Sequence, residues 1–582
     1  MILQALTSLY ETLAQKGEIS KEGWSREKIS FALSIDEEGN LLRVTPLFDT
    51  VDGPKGKTRE VPQKMTVPAA VKRTSGAAAN FLWDNSSYIL GVSLKKGEDD
   101  AEREKRRNKD IKCFEACREL HHSMLDGMEY PAAKAVLNFL DKWEPQKAEE
   151  NNLVAQYAKE ILSGANMVFR FNGGYVHDDP QLASVWQKAN AKQKDNIGQC
   201  LVTGALDEIQ NTHPTIKGVQ GAQSSGAALV SFNASAFCSY NKEQNQNAPV
   251  GKYAAFAYTT ALNHLLADRK NVHRIGDAAV VCWAENADKQ YEDFAAEVFF
   301  GDNVDKSDEQ RLSALRTSLK LLADGLPCKE MDLDPDRKFY ILGLSPNAAR
   351  LAVRFFYCDS FGKIAGNIYK HHERLEIVRP SYDKFPILPL WKLLSATVNP
   401  NAKDKTPNAA MAGAVARAVF SGGRYPASLL ECTFLRIKAE RNITRERAAI
   451  IKAYYLRNPN EKCPKEVLTV SLNENSKNIP YTLGRLFSVY EEIQQAANPG
   501  INTTIKDRYF GSAAAMPATV FPILSNLAQK HLRKLSDAQR VYLDKKVMTL
   551  KSVLGEQYPA HMSLPEQGSF DLGYYHQTQA RY

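Results

Sequence analysis

The sequence predicts an α+β protein, a mixed N-terminal region with β-hairpins and helices followed by an all-α helical bundle. Three observations carry that expectation. Alternating apolar runs with turn residues between them mark the first part. Short apolar runs and helical stripes alternate in the middle. Stripes at i, i+3, i+4 and i+7 take over towards the end as the strand signals fade. The chain has 582 residues, and at roughly 150 residues per domain that length suggests about three or four domains. We divide it into a 1–150 α+β region with a basic polar loop, a 151–400 α+β region with Gly/Asn/Gln-rich loops, a 401–465 stretch of basic connecting helices and a 466–582 helical bundle.

Taken in order, Leu3, Leu6, Leu9, Tyr10 and Leu13 fall at helical spacing. Ile29, Phe31, Leu33 and Ile35 then alternate with smaller or polar residues. Glu38-Gly39-Asn40 supplies a turn, and Leu42 and Val44 return, which reads as a hairpin. A proline-punctuated stretch leads to a second β candidate over 81–92, and the charged run 95–112 reads as a solvated loop or helix face. Further on, 227–232 (AALVSF) and 278–284 (AAVVCWA) look like buried strands around a helix over 253–267. The stretch 338–357 starts as a strand, turns at Ser345-Pro346-Asn347 and continues as either helix or strand. Residues 397–408 (TVNPNAKDKTPN) form the best candidate linker. Beyond it, Leu483 to Ile493, Phe521 to Leu535 and Leu543 to Leu554 make three helical stripes, enough for a small bundle that folds by itself.

Composition narrows the function classes. The hydrophobic fraction is 43% and the charged fraction 24%, values of an ordinary globular protein rather than a collagen-like, disordered or membrane chain. Nine scattered cysteines without a C-x-x-C pair fit reduced thiols. With no basic n-region at the start and no long apolar run, the expectation is a soluble, cytoplasmic protein.

Chemistry-bearing motifs are sparse. Gly53-Pro54-Lys55-Gly56-Lys57-Thr58 tempts as a phosphate loop, but Val51 stands where that motif needs glycine, and Pro62 follows where it needs a helix. Cys113, Cys117 and His121 recur every four residues and could share a zinc ion on one helix. No fourth ligand is identifiable, and buried cysteines at helical spacing are common core material. His177-Asp178-Asp179 reads better as an exposed polar turn than as part of a metal hydrolase, and His371-His372 is a lone pair. Ser224 and Ser225 miss the nucleophile elbow by one residue. We expect no metal, no cofactor and no enzyme activity, which shifts weight towards a binding protein.

Two polar loops and one basic segment stand out. The stretch 71–91 opens with Lys72, Arg73, Thr74, Ser75 and Gly76 and carries Asn80; 218–253 holds Gln220, Gln223, Ser224 and Ser225 among four glycines and a crowd of amides. Glycine-flanked loops let backbone approach a polyanion, and amides can both donate to and accept from base edges. Alternatively the loops satisfy each other. Between Met411 and Cys463, ten Lys+Arg face four acids, so six of the chain's eight net positive charges sit there. Tyr425, Phe434, Tyr454 and Tyr455 are interleaved, which makes both phosphate contact and base stacking available.

The stretches MILQALTSLYETLA, KRTSGAAANFLWDN, GVQGAQSSGAALVSFNASAFCSY, NAPVGKYAAFAYTTALNHLL, ILGLSPNAARLAVRFF, RERAAIIKAYYLRN, YTLGRLFSVYEEIQ and FDLGYYHQTQ together resemble the large subunit of the type I-C CRISPR interference complex (Cascade), from end to end. The resemblance implies a non-enzymatic, RNA-guided role: reading the protospacer-adjacent motif in double-stranded DNA, helping to open the duplex into an R-loop, guiding the displaced strand and recruiting a helicase-nuclease. Sequence beyond the motif is then read by guide RNA pairing. The implied partners are guide RNA, target DNA, the backbone and other subunits of the complex, the helicase-nuclease, and copies of the chain's own C-terminal region translated separately from about residue 467. The motif-reading candidates are Lys72, Arg73, Thr74, Ser75, Asn80, Gln220, Gln223, Ser224 and Ser225. The candidates for nucleic-acid backbone are Arg417, Arg424, Arg436, Lys438, Arg441, Arg445, Arg447 and Lys452. The alternative is a nuclease or guide-processing enzyme whose dispersed site the sequence hides.

Overall fold

The structure is a computed structural model that describes residues 1–581 apart from 53–57, 72, 74–75, 96, 98, 191–195, 233, 302–308, 384 and 386. It is α+β as expected. It divides into two compact units: Met1, Leu3–Thr212 and Phe232–Ala261 form one, and Ile2, His213–Ser231 and Leu262–Tyr582 the other.

The first unit contains α1 (Ile2–Gln15), β1 (Trp24–Ile29), β2 (Phe31–Ile35), β3 (Leu41–Pro46), β4 (Phe48–Asp52), β5 (Thr58–Pro68), β6 (Trp83–Asn85), α2 (Ser86–Ile89), α3 (Asp100–Leu125), α4 (Pro131–Lys142), α5 (Asn152–Ala155), α6 (Ala158–Ile161), β7 (Asn166–Phe171), β8 (Gly174–Tyr175), α7 (Pro180–Asn190), β9 (Ile197–Gln199), β10 (Leu206–Glu208) and most of α8 (Lys252–Ala267). One sheet runs β3-β2-β7-β6 with β8 beside β7, and a second runs β1-β5-β4. The β2–β3 hairpin turns at Glu38-Gly39-Asn40 as expected. Gly39 has φ +83°, and a side chain there would strike the backbone of Asn138 on α4. Phe31, Leu33 and Ile35 pack with Val136, Phe139 and Leu140, a sheet face covered by a helix stripe.

One expectation in this unit needs correction, and one is borne out. The 81–92 segment is a strand only over Trp83–Asn85, because the Asn85 side chain accepts the Ser87 N–H and starts a helix. Thr58 opens a strand that pairs with β4, so no helix follows Lys57-Thr58. The Gly53–Lys57 stretch itself lies outside the described residues.

The second unit continues with β11 (His273–Ile275), β12 (Ala278–Ala284), α9 (Lys289–Ala295), α10 (Glu309–Ala323), β13 (Lys338–Asn347), β14 (Arg350–Ser360), α11 (Phe361–Leu375), α12 (Leu390–Ser395), α13 (Ala409–Ser421), α14 (Ala427–Glu440), α15 (Arg445–Arg457), α16 (Ile479–Ala497), α17 (Ile505–Ala515), α18 (Pro517–Leu532), α19 (Asp537–Leu554) and α20 (Leu564–Gln579). An antiparallel sheet runs β11-β12-β13-β14. The 338–357 stretch is a hairpin, and its turn falls at Ala348-Ala349 rather than at Ser345-Pro346-Asn347. Pro346 is tolerated inside β13 because β12 pairs only as far as Leu344, leaving one side of the strand free of a neighbour that would need its N–H. The run 227–232 is not a strand; it makes only single bridges, Ala227 to Ile216 and Ala228 to Arg350.

The bundle at the end of the chain is not a separate body. One core runs from Ile275 to Tyr575, and the candidate linker 397–408 only joins α12 to α13 within it. At its centre α16 and α20 cross at two glycines: a Cβ on Gly484 would lie 2.8 Å from the Tyr574 amide nitrogen, and one on Gly573 would lie 2.9 Å from the Tyr481 carbonyl carbon. Every residue from Gln567 to Gln577 is buried. The far side of α20 packs back on earlier helices, with Gly568 against Tyr455 and Ile451, and the Tyr575 hydroxyl donates to the Val378 carbonyl at 2.7 Å. Among the described residues no helix is long and apolar enough to cross a membrane.

Candidate nucleic-acid interface

The first polar loop leaves β5 and returns to β6. Lys72, Thr74 and Ser75 lie outside the described residues, but the loop's closure is clear. Arg73 donates through Nε to the Ala78 carbonyl at 2.7 Å and pairs through its guanidinium with Asp84. The guanidinium carbon stands 3.9 Å from the centre of the Tyr88 ring. Asp84 is almost fully buried and also accepts the Asn80 N–H at 2.9 Å. Burial nevertheless raises its carboxyl above the usual range. Asn80 is buried, and its side-chain oxygen accepts the Val71 N–H at 2.9 Å. Arg73 and Asn80 therefore hold the loop's two ends together. That use replaces the base-reading role expected of Asn80, since a buried amide with its oxygen engaged cannot reach a groove; Arg73 is exposed.

Beneath this clasp Leu82 takes a left-handed conformation, φ 65°, and donates its N–H to His121 Nε2 at 2.9 Å. His121 Nδ1 donates in turn to the Cys117 carbonyl at 2.7 Å. Both ring nitrogens are engaged, and burial pulls the imidazole pKa down to about 4, which keeps it neutral. The Cys113, Cys117, His121 stripe thus acts as a polar pin under the loop. His177, expected on an exposed turn, is buried, while Asp179 caps α7 by accepting the Gln181 N–H at 2.9 Å. Among the described residues no three His, Cys, Asp or Glu side chains gather as a bound metal would require.

The second loop belongs to the other compact unit. Ile216 and Ala227 exchange N–H···O bonds of 2.8 and 2.9 Å, closing a stem from which 217–226 loops out. Positive φ at Gly218, Gly221 and Gly226 makes the tight path possible, and Cβ at Gly226 would meet Thr215 at 2.7 Å. Gln220, Gln223, Ser224 and Ser225 are all exposed on this loop. Gln220 accepts from Arg274 at 2.9 Å, which fixes its amide orientation.

The basic segment sorts into two classes. Arg445 is buried, paired with Asp383 at 3.0 Å. Arg447 is only 3% exposed and bonds Glu440 at 2.5 Å together with the Asn442 and Ala396 carbonyls. Lys452 is buried on the Arg374 carbonyl at 3.1 Å, and desolvation lowers its pKa to about 8. Arg436 is half-buried against Glu440. Arg445, Arg447 and Lys452 fasten separate segments together, so their assignment as a phosphate track is corrected: they already have acceptors inside the fold. Arg436 lies against Glu440 one turn along the same helix. Arg417, Arg424, Lys438 and Arg441 are exposed. Tyr425, Phe434 and Tyr455 are core residues, which removes them as stacking platforms.

The sequence reading missed a guanidinium pair. Arg457, at the end of α15, is depressed below the usual guanidinium range by burial and by Arg374 of α11, and Tyr425 accepts a bond from Arg374 while contacting His371 at 2.6 Å. No spacing in the sequence links positions 83 residues apart; only the packing of α11 on α15 brings them together. A family model described as a CRISPR-associated protein (Cas_Csd1) matches residues 6–582. No curated protein matches the sequence.

Proposed function

The chain belongs to the Cas_Csd1 family of CRISPR-associated proteins, and on that premise we propose that it is the large, non-catalytic subunit of the type I-C interference complex. In this reading it recognises the protospacer-adjacent motif in duplex DNA, promotes R-loop formation, guides the non-target strand and recruits the helicase-nuclease. The whole-chain family match carries the proposal. The exposed loop 217–226 supports it: a pinned stem presents small hydroxyl and amide side chains, the donors and acceptors that fit a narrow groove and distinguish A·T from G·C.

Gln220, Gln223, Ser224 and Ser225 are the motif-reading candidates, and Arg417, Arg424, Lys438 and Arg441 the exposed cations for a guide or displaced strand. We also propose that the region from about residue 467 is made separately and joins the complex; guide RNA and the other subunits complete it. The test is binding of the assembled complex to duplexes that differ only in the adjacent motif. Alanine at Gln223, Ser224 and Ser225 should shrink the preference by about 1–3 kcal/mol per lost base contact with affinity for other DNA unchanged. Equal binding to all motifs by the unaltered complex, or metal-dependent cleavage by the isolated chain, would sink the reading.

A further inference from the structure

The end of α11 helps to enclose a cavity that the two polar loops do not share. Tyr369, His372, Glu373 and Glu376 fall at i, i+3, i+4 and i+7, so one face of that helix and its cap points the same way. Arg316 and Lys320, one turn apart on α10, line the cavity from the helix packed alongside. Where the chain leaves α11, the Val378 N–H donates to the Val470 carbonyl at 2.7 Å, which fixes the segment that carries Arg379. Together these walls enclose about 520 Å³, a volume within the roughly 300–1,000 Å³ of small-molecule sites. Leu375, Ile377 and Leu388 give it a buried apolar floor.

Both signs of charge line this cavity without meeting. Arg316, Lys320 and Arg379 are exposed, and among the described residues none of them has an ion-pair or side-chain hydrogen-bond partner. Glu373 and Glu376 are exposed too, and they support the charge of buried Lys452 without pairing with it. A fourth cation of the lining, Arg445, is already taken by Asp383. Like charges one turn apart on a helix are unfavourable, so Arg316 and Lys320 gain from an anion held between them. His372 adds a different group. Desolvation, with Arg316 beside it, pulls its pKa down to about 4, so the imidazole is neutral and carries one donor and one acceptor. Among the described residues neither ring nitrogen has a hydrogen-bond partner.

A ligand that answers all of these groups carries an anion, hydroxyls and a flat ring with polar edges. Guanidinium matches phosphate oxygens. Ribose hydroxyls donate to carboxylates, as at dinucleotide sites. A base stacks on an aromatic ring and hydrogen-bonds through its edge. An inorganic oxoanion would meet the glutamates and leave the apolar floor bare. We propose that this cavity binds a free ribonucleoside monophosphate, with its phosphate on Arg316, Lys320 and Arg379, its ribose hydroxyls on Glu373 and Glu376, and its base against Tyr369 and His372. Three cations against two carboxylates leave a margin of one charge, which favours a single phosphate over a triphosphate, and the volume suits one nucleotide rather than a strand. The site is independent of the DNA-reading function proposed above.

The experiment is isothermal titration calorimetry of the full-length chain with AMP, CMP, GMP and UMP in turn. At least one should bind saturably, one per chain, with a Kd below about 1 mM. Its nucleoside and its 2′,3′-dideoxy analogue should each bind about tenfold or more weakly, since each loses hydrogen bonds to charged groups. R316Q/K320Q should remove the preference for nucleotide over nucleoside and melt like the unaltered chain, and E373Q/E376Q should weaken the preference for ribose. Should a variant misfold, the nucleoside and dideoxy comparisons on the unaltered chain still decide. No binding of any of the four at about 1 mM overturns the proposal, as does inorganic phosphate that binds as tightly as the best nucleotide. An oligoribonucleotide that binds more tightly than its mononucleotide and is weakened by R316Q/K320Q assigns the cavity to a strand and overturns it as well.

Discussion

Alanine at Gly573 should be among the most damaging single changes in the chain, although it adds one methyl group and improves helix propensity. The new Cβ would lie 2.9 Å from the carbonyl carbon of Tyr481 and 3.1 Å from its Cα. Those are backbone atoms of a helix buried all round, so neither partner can move aside. Overpacking a core by a methylene commonly costs about 1–3 kcal/mol, and a backbone obstacle puts this case at the top of that range. The propensity gain of Gly→Ala returns about 1 kcal/mol, for a net loss of about 2 kcal/mol or more. The second unit holds about 340 residues, so at about 2.1 cal/mol/K per residue its melting temperature should fall by about 3 °C or more. Gly511→Ala on α17 is the internal standard, because nothing lies within 4 Å of the place its new methyl would take; it should raise the same transition by about 1 °C. Differential scanning calorimetry of the full-length chain reads both. An unchanged G573A transition beside a raised G511A one would refute the close crossing of α16 and α20.

Acid should destabilise both units through their buried histidines. His121 and His576 are buried and neutral, their pKa values pulled by desolvation from 6.5 to about 4. Stability present above the unfolded pKa is therefore lost as pH falls through 6.5 towards 4, by about 2 kcal/mol per histidine at pH 5, and denaturation midpoints that do not move between about pH 7.5 and 5 would contradict this. Arg447→Ala should lower stability by about 1–3 kcal/mol, because the Asn442 and Ala396 carbonyls lose their donor while half-buried Glu440 keeps Arg436, whereas R417Q and R424Q should leave the melting temperature in place and flatten the salt dependence of nucleic-acid binding, each by a slope of about 0.9. Expression from the native gene should yield a second product beginning near residue 467 that a silent change at that start abolishes; recovery of full-length chain alone would reject it.

What the sequence made legible follows from where its information is local. The α1 stripe, the β2–β3 hairpin with Gly39 at its turn, the helix over 253–267 and the stripes of α16, α18 and α19 each announce themselves through a face that is apolar beside one that is not. The central helix α20 does not, because its stretch QGSFDLGYYHQ (567–577) is buried all round and shows no polar face to contrast with an apolar one. The same limit governs the charges. Composition located the basic Met411–Cys463 segment, but Arg447 and Arg417 look alike in sequence, and only tertiary partners show that one is consumed by Glu440 while the other is exposed. Lys28 and Lys64 look unrelated in sequence, and only the β1–β5 register sets them opposite one another, 36 positions apart.

The Gly484–Gly573 crossing also sets a clock on the newborn chain. The midpoints of α16 and α20 lie about 84 residues apart, so at about 5–20 residues per second the ribosome delivers the second helix roughly 4–17 s after the first. Through that interval the face of α16 that carries Tyr481, Gly484 and Phe487 lacks its partners His576, Phe570 and Tyr574. Early stop codons anywhere before α20 should therefore leave the second unit without its keystone, however much of the unit has already been made, and holdase chaperones have a defined moment at which to engage it.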